Sequence, residues 1–278
     1  MPEKRKQKTN KRERSAIENF KKKLEAKAKQ SKQWRTGLTL AWAFLMMLWV
    51  WIMVIPIQYL CAFLIVKMDL PVSDTALQAI FTGVVYAVSL VLTILVPWKI
   101  LGMKTTRDEI GLRGLPTWTD MLLAPVAFIA FMVLSTFLLM ALQAIAPNVN
   151  WEEAQNVGFN GIYTQFDYIL AFVCLVVLAP ICEEIIFRGW LYGKMRRRMS
   201  AVPAILLVSL LFGIVHGQWN VGVIVFTMSI AMCILRELTG TIYGGLLVHM
   251  IKNGIAFYAL FVNPAFGGAA VGMLLLTL

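Results

Sequence analysis

The sequence predicts an all-α fold: a polytopic helical membrane protein of about seven transmembrane helices, eight if residues 267–278 also cross, with a polar site inside the helix bundle. Three observations predict it. The chain is 59% hydrophobic with a mean hydropathy of +0.72, above the 45–50% apolar content of soluble domains. Apolar runs of about 20 residues, the length that crosses a bilayer, recur along it. Charged residues make up only 15%, and many of the basic ones crowd into the first 36 positions, so the polar residues left inside the apolar runs stand out.

Two domains follow. Residues 1–36 form a basic tail, and residues 37–278 form the membrane-embedded domain. In the tail, Ile17, Phe20 and Leu24 fall on one helical stripe among lysines. That pattern fits either a helix lying on anionic headgroups or a solvated, partly disordered arm. Without aromatic interleaving or a recognition motif, nucleic acid is not expected as a partner. The tail is too long and too basic for a cleavable signal, and it lacks a short apolar core before a small-residue site.

Seven apolar runs succeed one another near 38–66, 75–98, 118–146, 166–194, 203–217, 221–237 and 241–262. Pro56, Pro97, Pro125 and Pro180 lie in or near them and are expected to kink or end helices. The last run, Gly267 to Leu278, is short for a crossing. The positive-inside rule orients the set. The tail, the loop carrying Lys99, Lys104, Arg107 and Arg113, the KMRRR segment at 194–198, and Arg236 all fall on one side. The loop from Pro147 to Asp167 has no Lys or Arg and falls on the other. A cytoplasmic N-terminus in a multi-pass protein of the plasma membrane is expected. All four cysteines, Cys61, Cys174, Cys182 and Cys233, sit in apolar runs without a CxxC pair and read as small apolar residues.

The stretch LAPICEEIIFRGW, residues 178–190, breaks the apolar pattern. An ionisable side chain in the bilayer interior costs roughly 2.5–3.5 kcal/mol on insertion scales, so three need a reason. Glu184 and Arg188 stand at i, i+4 and share a helical face. Glu183 is turned about 100° away and needs another partner. The chain has two histidines, and both lie in apolar runs: His216 one turn after Phe212, and His249 one turn before Asn253. Each histidine by itself fits a polar residue bonding a neighbouring helix. Glu183 lies 13 residues before Arg196, His216 13 after Pro203 near the start of its run, and His249 13 after Arg236, all counted from the same membrane side. At 1.5 Å per residue that is up to about 20 Å, which allows one common layer. Small residues in YGGLL and FGIVHG permit close helix approach.

A carboxylate, two imidazoles and an amide around one point suit amide hydrolysis. A carboxylate takes a proton from water, and a second His with an Asn donates hydrogen bonds to a developing oxyanion. The same Glu183, His216 and His249 also have the donor types for zinc, which would activate the water instead.

Read as motifs, EEIIFR at 183–188 is EExxxR, FGIVH at 212–216 is FxxxH, and HMIKN at 249–253 is HxxxN. This ordered set resembles the CPBP intramembrane protease family, also called Abi, which includes the type II CAAX prenyl endopeptidases and bacteriocin-related proteins. The resemblance runs from about residue 75 to 262. It implies an endopeptidase acting on a membrane-associated protein or peptide, by CAAX-type or peptide-precursor processing. It implies Glu183 as base, His216 helping to hold the water, and His249 and Asn253 as oxyanion donors. Glu184, Arg188 and Phe212 would support them. The family is described both as metalloproteases and as metal-independent glutamate proteases. With two His and no further strong ligand beyond the Glu pair, the metal-free version is favoured, and zinc is the alternative cofactor. HExxH, GxGD and GxSG, the marks of other intramembrane proteases, are absent. Two rival classes predict different behaviour: a non-catalytic scaffold or bacteriocin-immunity protein predicts no dependence on Glu183, and a proton-coupled transporter predicts flux without cleavage.

Overall fold

The computed structural model describes residues 39–68, 72–151, 157–159 and 162–263. The tail and the run 267–278 lie outside these residues. Seven helices follow in order: α1 Thr39–Lys67, α2 Asp74–Leu101, α3 Trp118–Ile145, α4 Gln165–Arg196, α5 Ala201–Ile214, α6 Trp219–Thr239 and α7 Tyr243–Val262. They match the seven apolar runs, and no strand occurs among the described residues. Six are long and apolar enough to cross a membrane. The exception is α5, with 14 residues, about 21 Å at 1.5 Å per residue, short of a hydrocarbon core of about 30 Å. Hydropathy carries its run on to residue 217, but the backbone turns at Gly217, whose φ is 70°, and the helix stops ahead of His216. Helices α2, α3 and α4 continue through Pro97, Pro125 and Pro180.

Local chemistry sets the helix ends. Thr117 with Asp120, and Thr164 with Asp167, form capping boxes at the starts of α3 and α4, each satisfying N–H groups that the first turn leaves open. Gly102 and Gly240 close α2 and α6 in the left-handed region, which only glycine enters at little cost.

Residue contacts divide the chain into two units, Met1–Leu45 and Met46–Leu278. Of the first, residues 39–45 are described and form the opening turns of α1. In the second, α4, α6 and α7 make the centre: 44%, 50% and 44% of their most apolar stretches are buried, against 22% for α2 and α3. Helices α5 and α6 approach closely, since a Cβ on Gly213 would stand 2.8 Å from the Gly222 carbonyl.

The basic segments gather at one end. Glu109 takes Lys194 at 2.8 Å and Arg197 at 3.2 Å. Arg236 donates to the Glu109 carbonyl at 2.8 Å, and Arg196 pairs with Glu237 at 2.7 Å. The loop after α2 thereby ties together the ends of α4 and α6. It lies tight on α4, because Cβ atoms on Gly189 and Gly193 would each come within 3.0 Å of the Ile110 and Glu109 carbonyls. At the opposite end, Asn220 donates to the Trp151 carbonyl at 3.2 Å.

Candidate active site

The site grows out of an irregularity in α4. Two π-helical segments, Val173–Leu178 and Ile185–Leu191, flank the Glu pair. In the first, the Ala179 N–H bonds the carbonyl five residues back, at Cys174. In that register the Leu175 carbonyl would need the N–H of residue 180, which is proline and has none. Asn253 of α7 fills the gap, its Nδ2 donating to the Leu175 carbonyl at 2.9 Å. A buried carbonyl without a partner is costly, so the amide one turn after His249 has a structural duty as well as a place at the site. π-Bulges of this kind occur often at functional sites.

Glu184 and Arg188 are both fully buried, and Arg188 Nη1 meets Glu184 Oε1 at 2.8 Å. The same oxygen accepts from His249 Nδ1 at 3.2 Å. The guanidinium lies 4.1 Å from the Phe212 ring centroid, close enough for a cation–π contact. Phe212 also meets Phe187, His216 and His249 edge-on, with centroids 4.9, 4.9 and 5.9 Å apart. This ring is the common surface on which the pair and both imidazoles are set. Gly245 makes room on α7, where a Cβ would stand 3.0 Å from Glu184 Oε2.

Glu183 faces elsewhere, into a cavity of about 490 Å³ whose wall also includes Tyr86, His216, His249, Lys252 and Asn253. The Tyr86 hydroxyl donates to Glu183 Oε1. Oε2 has no hydrogen-bond partner among the described residues and lies 3.8 Å from His249 Nε2. His216 is held through Nδ1 at 2.7 Å from the Phe212 carbonyl. A carbonyl only accepts, so Nδ1 carries the proton and the neutral ring has an acceptor at Nε2.

Glu183, His216, His249 and Asn253 thus come together on one cavity wall, while Glu184, Arg188 and Phe212 stand behind it. The motifs did not point to Tyr86 or Lys252. Tyr86 comes from α2 and carries no pattern of its own. Lys252 was visible inside HMIKN as a charge in an apolar run; its side chain is buried at 2% exposure and joins the cavity wall.

His216 and His249 are each held through Nδ1 and Glu183 through Oε1, which leaves both Nε2 atoms and Glu183 Oε2 outside these bonds, the pattern a metal-ligating His also shows. Among the described residues no group of three or more His, Cys, Asp or Glu is arranged to hold a metal ion.

Comparison with known proteins adds one finding. Residues 165–255 match the family model for type II CAAX prenyl endopeptidases, Rce1-like. This stretch, about a third of the chain, is similar to that family's domain. The match supports an intramembrane endopeptidase in general and agrees with the wider CPBP family. No curated protein and no solved structure matched. The matched stretch runs from α4 through most of α7 and so includes Glu183, His216, His249 and Asn253. Tyr86, on α2, lies outside it.

Proposed function

We propose that the protein is an intramembrane endopeptidase that hydrolyses a peptide bond of a membrane-associated protein or peptide, with Glu183 as the general base. The observation that supports this most is the position of Glu183: one oxygen held by Tyr86, the other open toward a cavity it shares with His216. Water bound between Glu183 Oε2 and His216 Nε2 gives a proton to the carboxylate. The resulting hydroxide attacks the carbonyl carbon of the substrate. Negative charge moves to the carbonyl oxygen, and His249 Nε2 and the second Nδ2 hydrogen of Asn253 point donors at it. Since His249 Nδ1 already bonds Glu184, Nε2 donates only when the ring holds both protons. Protonated Glu183 then passes its proton to the leaving nitrogen. The C–N bond breaks to leave a carboxylic acid and an amine, and transfer of the acid's proton to the amine gives a carboxylate and an ammonium.

No cofactor takes part in this scheme. Glu184 and Arg188 hold His249 and Phe212 in place rather than react. The basic ends of α2, α4 and α6 face the cytoplasm with the N-terminal tail, and the protein is a multi-pass protein of the plasma membrane. The tail is a candidate for anionic headgroups. Reconstitution in liposomes with a library of membrane-anchored peptides tests the reading. Cleavage products detected by mass are expected, and proton flux without any cleavage would instead indicate transport.

A further inference from the structure

The cavity has a direction. Along α4 its wall runs from Glu183 through Ala179 to Leu175 in steps of four, toward the start of the helix. Along α2 it runs from Tyr86 through Thr82 to Gln78, which is four residues from the first residue, Asp74. On α1 it takes in Gln58 and Ala62, close to the last residue, Lys67. All three paths lead away from the basic loops. Gln58 is exposed and Gln78 half-buried there. Toward the basic end the wall is closed by Ile186, Phe187 and Ser89, each 1% exposed, and behind them the loop carrying Glu109 and Ile110 lies on Gly189 and Gly193.

We infer that substrate reaches Glu183 from the end of the bundle opposite the basic loops, as an extended, uncharged peptide segment, and that Gln58 and Gln78 bind it at the mouth. This rests on the endopeptidase reading. The chemistry of the mouth selects the class. Gln58 and Gln78 are neutral amides, each with donors and an acceptor that match a peptide backbone. Val54, Ala62 and Phe81 around them are apolar. Among the described residues, no charged side chain lines the mouth to take a phosphate or a carboxylate. Gly158 borders it with φ 80°, and a Cβ there would stand 2.6 Å from Gln78 Nε2, so the Gly158 backbone lies directly on the Gln78 amide.

Two arms test this. Thr82→Cys puts a thiol on the cavity wall, and Arg113→Cys puts one on the basic loop; both are reconstituted in oriented liposomes and treated with a membrane-impermeant methanethiosulfonate from each side. The expected result is that Thr82→Cys reacts, above the parent protein, only from the side opposite to that which labels Arg113→Cys. Reaction from the Arg113 side, or from neither side while Arg113→Cys reacts, overturns the route. This arm needs no catalysis, so it decides access even if the protein cleaves nothing. In the second arm Gln78→Trp narrows the mouth and is expected to lower kcat/KM at least tenfold, with Arg113→Trp unchanged and Gln58→Trp, at an exposed site, repeating the loss. Both mouth variants within twofold of wild type would overturn the binding role.

Discussion

Replacing Arg188 by alanine should unfold the protein more readily, because the guanidinium neutralises a carboxylate that has no route to water. Arg188 and Glu184 are both 0% exposed, so water cannot replace the lost partner. Glu184 would keep only the 3.2 Å contact from His249, and Phe212 would lose the cation now 4.1 Å from its centroid. Removing one member of a buried pair typically costs about 3–5 kcal/mol. At roughly 2–4 °C per kcal/mol for a chain of this size, the melting temperature should fall by about 6–20 °C. The assay is thermal unfolding of the detergent-solubilised protein, with its level in the membrane as a second readout. The double change Glu184→Gln with Arg188→Met removes both charges and should recover much of the loss, since a missing pair is cheaper than a broken one. An Arg188→Ala protein that melts like wild type and loses only turnover would refute this reasoning and place Arg188 in chemistry or substrate binding.

Other perturbations separate the remaining parts. Tyr86→Phe removes the hydroxyl that holds Glu183 Oε1; kcat should fall roughly ten- to 150-fold with KM little changed, as hydrogen bonds to charged groups are worth about 1.5–3 kcal/mol, and steady-state kinetics reads the split. Asn253→Ala should lose both activity and about 1–3 kcal/mol of stability, because the Leu175 carbonyl is left unpaired; chemical denaturation checks the second part. Prolonged chelation should leave cleavage intact, and loss restored by added zinc would contradict the glutamate scheme.

Much of the fold was legible because membrane insertion writes length and apolarity into the sequence. The seven runs needed no knowledge of tertiary contacts. The end of α5 escaped because FGIVHG is apolar on both sides of the turn, and the reversal depends on the backbone freedom of Gly217 rather than on hydropathy. The Glu184–Arg188 pair could be read from its spacing, since i, i+4 fixes a shared face whatever surrounds it. The partner of Glu183 could not, since Tyr86 reaches it from a helix 97 residues away in sequence. Asn253 was legible as a site residue and not as a structural one. Its bond to Leu175 exists because a π register meets Pro180, and the proline alone does not announce that register. Lys252 was in plain sight, and a motif read only at its first and fifth positions passed over it.

The central claim is that Glu183 activates water for peptide-bond hydrolysis, and it is tested most directly by comparing membrane peptides from cells that express wild type or Glu183→Gln at equal levels. The substitution keeps the size of the side chain and removes its basicity. A positioned general base contributes about 10²–10⁴-fold, so products found with wild type should vanish with Glu183→Gln while the melting temperature stays close to that of wild type. The same products at similar abundance from the Glu183→Gln protein would contradict the account.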